Sequence, residues 1–462
     1  MTQLVVASTL FGAATAAAAV DAGLLPPVDG ERVLLVVNNA HAPELTLALD
    51  EVDGAGPVLA RFDRVVHLTD LIAPTHPSDW NPGHRERPAM ETLLRHYWGL
   101  GDGPIDLVCE SVWVNPAQAL ARIFHASSVT VYADGLMSYG PTRNPLPLTI
   151  RQRLDKMLHL DLVPGVKPVL LSEYDTPTEV IPSEAFRTLI EEIAAKSTTA
   201  ATALDAATAP GDEDAPATAI IVGQYLAALG LLTRDEETAL HARMIEASAK
   251  AGAELVRFKP HPSAPPGLIG PLQETAEKVG VRFELVDDPL PVEVMLTSGN
   301  VVVLVGCFST ALVTARTIFG IPSVAVDTAP LLKRLTPYEN SNRIPVTVID
   351  ALHRSSSPYT EPEALQRLVD TVSYGMQPGA HASRRAEAVA FLDAASEGER
   401  RRYFTSTQLS RLDLPGAPAR SAVAKAAIGT ARAALRHPAL DWVDQKTRNA
   451  RLRKQLARKL NG

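Results

Sequence analysis

The run Val256-Arg257-Phe258-Lys259-Pro260-His261-Pro262-Ser263 sets an imidazole between two prolines directly after an apolar stretch. Each proline fixes its own φ and removes a backbone donor, so the turn is stiff and His261 is presented rigidly. An imidazole at the carboxyl end of a strand can donate to a phosphate and assist a departing nucleotide. Lys259 would add a fixed positive charge beside the same phosphate, and Pro262 would shape the turn against it. The dipeptide alone says little, because His76-Pro77 and His437-Pro438 also occur. The strand in front of His261 is what singles it out.

Three more strand ends carry polar residues. Val303-Leu304-Val305-Gly306-Cys307-Phe308-Ser309-Thr310-Ala311-Leu312 runs from an apolar strand through a glycine into hydroxyl residues that open a helix. Free N–H groups at a helix start, hydroxyls beside them and a glycine permitting close approach suit a phosphate, which makes Gly306, Ser309 and Thr310 candidates. Ordinary N-capping fits the same Ser and Thr. In Val129-Thr130-Val131-Tyr132-Ala133-Asp134-Gly135 a carboxylate stands at a strand's carboxyl end. There Asp134 could take a proton from an acceptor hydroxyl, although Asp-Gly is also plain turn chemistry. In Ala219-Ile220-Ile221-Val222-Gly223-Gln224-Tyr225, Gly223 lets a ligand approach the backbone and Gln224 offers it an amide, or the pair merely turns the chain.

Such residues need a scaffold that gathers strand ends. Apolar strand candidates at 4–8, 32–37, 64–68, 105–109 and 129–132 alternate with helix-like segments at 11–23, 44–51 and 91–98. Short continuous apolar strands alternating with helices predict a doubly wound, Rossmann-like parallel sheet. The pattern restarts with strands at 219–222, 254–258, 281–286, 301–305 and 323–326 and helices at 234–251, 268–280 and 309–319. Between the two, residues 198–216 are Ala, Thr, Asp, Gly and Pro with almost no bulky apolar side chain, too little to bury for folding. The expected organisation is an α/β protein: a Rossmann-like acceptor-side domain at 1–205, a linker or exposed loop at 206–216, and a Rossmann-like nucleotide-binding domain at 217–360. A helical region with a basic tail follows at 361–462. Two such domains face a central cleft between the carboxyl ends of their strands, where ligands of open α/β sheets bind.

The bulk composition narrows the function. At 462 residues the chain fits two to three domains of about 150 residues. With 46% hydrophobic and 21% charged residues it is neither disordered nor fibrous. A formal net charge of −8 argues against nucleic acid as a partner, since phosphate neutralisation needs clustered Lys and Arg. Cys109 and Cys307 lie in apolar strands with no second Cys or His at metal spacing, so they read as buried thiols in a reducing interior and not as metal ligands. No run of about 18 uncharged apolar residues exists to span a membrane. Residues 1–25 lack a Lys or Arg ahead of their apolar stretch and read as a first β-α unit, not an export signal. A cytoplasmic location is therefore expected. The basic run 448–459, with Leu452, Leu456 and Leu460 on one side, reads either as a solvated helix or as a peripheral contact with an anionic membrane face.

Taken in order, Ala133-Asp134-Gly135, His261-Pro262 and Ser309-Thr310 resemble the motifs of bacterial sialyltransferases: an acidic-acidic-Gly motif, a His-Pro motif after a strand, and a later Ser-Ser or Ser-Thr pair. The Lys259-Pro260-His261-Pro262 context looks most like the alpha-2,8-polysialyltransferase branch, and the resemblance spans residues 3–326. It implies a GT-B fold, CMP-sialic acid as donor, a glycan acceptor, and inverting transfer without a metal or other cofactor, in surface polysaccharide synthesis. By the same resemblance Asp134 would be the base, His261 would support the departing CMP, and Ser309 with Thr310 would hold its phosphate. One position departs from the pattern: Ala133 stands where the motif has its first acid. Asp134 would then act from one residue along, a step that reverses side-chain direction in a strand, or Glu110 at the neighbouring strand end would act instead. A GT-B glycosyltransferase with another nucleotide sugar, or a catalytically silent nucleotide- or glycan-binding relative, are the other readings open to the sequence.

Overall fold

The computed structural model describes residues 1–40, 43, 46–198, 215–261 and 269–418. Pro262, most of the 206–216 segment and the basic run 448–459 lie outside the described residues. Met1–Thr405 forms one compact unit, and a second unit, from Ser406 on, is described by the helix Ser406–Leu412.

The first unit is built on two parallel sheets. Seven strands, β1 Thr2–Ala7, β2 Arg32–Val36, β3 Arg64–His67, β4 Ile105–Cys109, β5 Ser128–Ala133, β6 Leu154–Leu160 and β7 Thr178–Ile181, lie in the order β3-β2-β1-β4-β5-β6-β7. Five more, β8 Thr218–Val222, β9 Leu255–Lys259, β10 Arg282–Leu285, β11 Val301–Gly306 and β12 Ser323–Ala325, lie in the order β10-β9-β8-β11-β12. All pairings are parallel. The central strands are buried residue after residue, as helices on both faces require, which is why they read as unbroken apolar runs. In each sheet the order reverses beside its first strand, between β1 and β4 and between β8 and β11. Chains leaving neighbouring strands on opposite sides open a crevice there.

The Ala-rich helix Leu10–Asp21 follows β1 as expected, capped by Thr9, whose Oγ1 accepts from the Gly12 N–H at 3.0 Å. Its small residues are almost wholly buried, which lets the helix lie close against the sheet. The segment expected to be helical at 44–51 is not: its described residues, 46–51, form bends and turns, with the Ala48 N–H donating to the Glu51 carboxylate at 2.9 Å. That side-chain bond satisfies a backbone donor without a helical turn. β6 and β7 carry no strand signal in the sequence. β6 opens with Leu154-Asp155-Lys156, and β7 is a four-residue edge strand whose Val180 is half exposed.

Beyond the second sheet the chain is helical, at Thr328–Arg334, Arg343–His353, Pro362–Met376, Arg385–Ala394 and Glu397–Tyr403. Cross-links between the lobes come from Thr317 Oγ1 donating to the Leu162 carbonyl at 3.0 Å and the Lys167 N–H donating to Gln366 Oε1 at 2.6 Å. Arg343, fully buried, donates to the carbonyls of Tyr338, Leu332 and Leu335 and thereby anchors the helix it opens. No described helix is long and apolar enough to cross a membrane.

Candidate active site

The carboxyl ends of β4 and β5 carry two carboxylates. The register pairs Cys109 with Val131, so Glu110 falls level with Tyr132, and side-chain alternation puts Asp134 on the same face. Ser8, just past β1, donates its hydroxyl to Glu110 Oε2 at 3.2 Å, and the Tyr132 hydroxyl donates to the Val6 carbonyl at 2.9 Å. Gly12, in the first turn of the helix Leu10–Asp21, lies so close that an added Cβ would sit 3.4 Å from Asp134 Oδ2. The positive end of that helix therefore faces the Asp134 carboxylate.

Burial raises both carboxyls above the usual range. For Asp134 loss of hydration is the leading cause; for Glu110 the nearby Asp134 charge adds to it, so Glu110 is pushed further. Asp134 thus ionises first and Glu110 keeps its proton longer.

The other lobe contributes three loops. His261, after β9, stacks on Tyr225 with ring centroids 3.8 Å apart and planes 26° apart. Burial lowers the His261 imidazole to about 4, so without an anion beside it the ring is neutral at neutral pH. Gly223 follows β8, and a Cβ there would meet Phe258 Cζ at 2.9 Å and the Pro260 Cα at 3.0 Å. Glycine is needed at 223 for the β8 loop to pass the His261 loop. Gln224 is buried, and its side-chain amide N–H groups donate back to the Val222 and Gly223 carbonyls at 3.0 and 3.2 Å.

After β11, Ser309 Oγ accepts from the Ala311 N–H at 3.2 Å, opening the helix Ala311–Thr317. Thr310 Oγ1 accepts from the Leu136 N–H of the first lobe at 3.3 Å. Both hydroxyls accept in these bonds and keep a proton to donate.

A cavity of about 430 Å³ brings these groups together: Glu110, Asp134, Gly223, Gln224, Tyr225, His261, Ser309 and Thr310 all line it. Arg143 is the one Lys or Arg among the described residues on its wall. A second cavity of about 120 Å³ lies against the ends of β1 and β4, with Ser8 and Glu110 on its wall. Glu110 therefore stands between the two spaces.

Two expected phosphate contacts lie off the main cavity wall. Lys259 is held by Asp288, its ammonium donating to Oδ1 at 2.6 Å and to the backbone carbonyl at 2.8 Å. Both side chains are nearly buried, so this cation is neutralised within the protein. Gly306 is also off the wall, and the nearest atoms a Cβ there would meet belong to the Leu312 side chain, at an ordinary 3.6 Å. Its position in the strand leaves the approach to a ligand to Phe308, Ser309 and Thr310, which do line the cavity.

Four further groups complete the surroundings of the site. Tyr225 stacks on His261. His241 accepts the Gln224 N–H at Nε2, 2.9 Å away, and Glu237 accepts from the N–H groups of Leu226 and Ala227. Glu293, buried under the second lobe, accepts from Thr314 Oγ1 at 2.9 Å, and burial pushes it up to about 7. Glu237 and His241 had a signal: polar residues one turn apart on the buried side of the helix Arg234–Lys250. Among the described residues no group of three or more His, Cys, Asp or Glu side chains converges to hold a metal ion.

Among curated proteins none matches the sequence. Several solved structures are similar to the chain at low identity. A glycosyltransferase from Rickettsia africae is 10% identical over 89% of this chain and 95% of its own, with a TM-score of 0.37. The GT-B domain of a sialyltransferase from Photobacterium damselae is 13% identical over 76% of this chain and 96% of its own, at 0.41. The UDP-GlcNAc 2-epimerase of Methanocaldococcus jannaschii is 12% identical over 81% of this chain and 100% of its own, at 0.43. The family model described as Alpha-2,8-polysialyltransferase (POLYST) matches residues 3–328, a span that holds both sheets and every residue placed on the two carboxylate- and imidazole-bearing walls above. The chain belongs to the alpha-2,8-polysialyltransferase family and is a glycosyltransferase built on two parallel α/β sheets.

Proposed function

We propose that this glycosyltransferase moves sialic acid from CMP-sialic acid to a hydroxyl of a glycan acceptor, with inversion at the anomeric carbon and with protein groups, not a metal, receiving the leaving phosphate. The observation that carries the reading is the shared cavity, with Asp134 on one lobe and His261, Ser309 and Thr310 on the other. Asp134 takes the proton of the acceptor hydroxyl as that oxygen bonds to the anomeric carbon. The bond from that carbon to the phosphate oxygen breaks with its electron pair, and the charge falls on CMP. Ser309 and Thr310 donate hydroxyl hydrogen bonds to it, and His261 donates an N–H. The imidazole is neutral beforehand because of burial, and an arriving phosphate raises its proton affinity. Attack and departure on opposite faces invert the centre, which suits groups on opposite walls.

The raised carboxyl of Asp134 supports its part, since a base whose affinity for protons lies nearer neutrality drives the transfer better. Arg143 on the wall suits an anionic acceptor. The reading includes a cytoplasmic enzyme of surface polysaccharide synthesis, with the 448–459 basic run against an anionic membrane face.

Melting curves with CMP, UDP and GDP test the donor, because a bound ligand stabilises by mass action. CMP alone is expected to raise Tm; a rise with UDP or GDP and none with CMP would transfer the enzyme to another nucleotide sugar.

A further inference from the structure

The helix Arg234–Lys250 carries two buried polar side chains one turn apart, Glu237 and His241, each about as inaccessible as the sheet core, at 1% and 2% exposure. Both are spent on the backbone of the loop after β8. His241 Nε2 accepts from the Gln224 N–H at 2.9 Å. Glu237 Oε1 accepts from the Leu226 N–H and from the Ala227 N–H, the latter at 3.3 Å. Burying a polar side chain is costly unless it is hydrogen-bonded, and here the two side chains are paired with three backbone donors of a loop that has no strand or helix to satisfy them.

The residue between these fixed points is Tyr225, whose ring lies on the imidazole of His261. The tautomer of His241 follows: Nε2 accepts, so the proton sits on Nδ1, a buried nitrogen with no partner among the described residues. Burial lowers this imidazole as well, which keeps it in the accepting form. Phe258, of the strand that leads to His261, meets the His241 ring edge-on at 5.1 Å. His241 therefore touches both the loop after β8 and the strand that leads into the His261 loop.

We infer that His241 and Glu237 are positioning residues. They latch residues 224–227 so that Tyr225 fixes the plane of His261, and nucleotide affinity depends on the latch although neither residue lines the cavity. The inference rests on the reading of this cavity as a nucleotide-sugar site.

His241→Gln and His241→Asn separate a latch from mere packing. Glutamine carries a carbonyl oxygen to about the reach of Nε2, whereas asparagine is one methylene short and leaves the Gln224 N–H without its acceptor. Two readouts apply to the full-length protein: CMP affinity by calorimetry, whose stoichiometry reports the folded fraction, and the ring-current shift of the His261 protons. That resonance is assigned by its loss in His261→Asn. The Asn variant is expected to bind CMP about tenfold more weakly, in line with one buried donor left unpaired, and to lose the upfield shift that Tyr225 imposes. The Gln variant is expected to keep the shift and bind within about threefold of wild type. An Asn variant that keeps both, or a Gln variant that fails to fold or loses both, overturns the inference. Wild-type protein that binds none of CMP, UDP and GDP would instead remove the nucleotide reading, and the ring-current comparison would still decide the latch.

Discussion

Thr310 Oγ1 of the second lobe accepts the backbone N–H of Leu136 in the first at 3.3 Å, two residues after Asp134. The hydroxyl proposed to hold the leaving phosphate is thereby tied to the segment that carries the proposed base. Gly135 permits this approach, since a Cβ on it would stand 3.1 Å from the same oxygen.

Thr310→Val should weaken CMP binding by about tenfold or more, the range for a hydrogen bond to a charged group. Thr310→Ser should retain most of the affinity. Gly135→Ala presses on the same oxygen and should lower the transfer rate with the fold intact. Calorimetry with CMP checks the Thr310 variants, and a sialyl-transfer assay with a circular dichroism melt checks Gly135→Ala. Equal affinities for Val and Ser would deny Thr310 any contact with the nucleotide.

The carboxylate pair has opposite consequences for stability and activity. A carboxyl whose folded pKa is raised favours the folded state while protonated, and that stability is lost as pH rises through the folded value. Glu110 and Asp134 are both raised. Glu110→Gln and Asp134→Asn should therefore raise Tm relative to wild type, with the gap widening from acid pH to pH 8. Melts across that range decide it, and a gap that narrows with rising pH would reverse the assigned sign.

Turnover should follow ionised Asp134. Because its shift comes from burial and not from Glu110, the acid limb of the pH–rate profile should lie above the ordinary carboxylate range and stay in place in Glu110→Gln. Displacement of the limb towards acid in that variant would mean that Glu110 is already charged when Asp134 titrates.

Lys259 is expected to matter for stability more than for the nucleotide. Lys259→Met leaves Asp288 buried without its partner and should cost about 3–5 kcal/mol, the range for breaking one side of a buried pair. Lys259→Met with Asp288→Leu should recover much of this by chemical denaturation. A large loss of CMP affinity in the stable double variant would return Lys259 to the phosphate.

How far the sequence leads depends on which force fixes each feature. In the second sheet β8 at Thr218–Val222 and β11 at Val301–Gly306 were legible almost to the residue, because strands buried on both faces must be continuously apolar. β6 and β7 were not, since the charges at Asp155 and Lys156 and the exposed edge position of Val180 break that pattern. At the site, strand-end position located Asp134, His261, Ser309 and Thr310, which the cavity does gather. Lys259 shares a strand face with Arg257, two residues before it, and both turn toward acids at and beyond β10: Glu284 and Asp288. Choosing between a phosphate and Asp288 as its partner needed the packing of β9 on β10. The roles of Glu237 and His241 needed the same kind of tertiary information, because a helix at 234–250 does not reveal which loop it covers.

The most direct test is the rate at which CMP is released from CMP-sialic acid in the presence of a sialylated glycan acceptor, by wild type, Asp134→Asn and His261→Ala. Wild type is expected to release CMP with matching growth of the glycan, and each variant to be slower by about 10²–10⁴-fold, the usual contribution of a positioned acid or base. Wild-type release that neither substitution slows would contradict the convergence of those two side chains on one reacting centre.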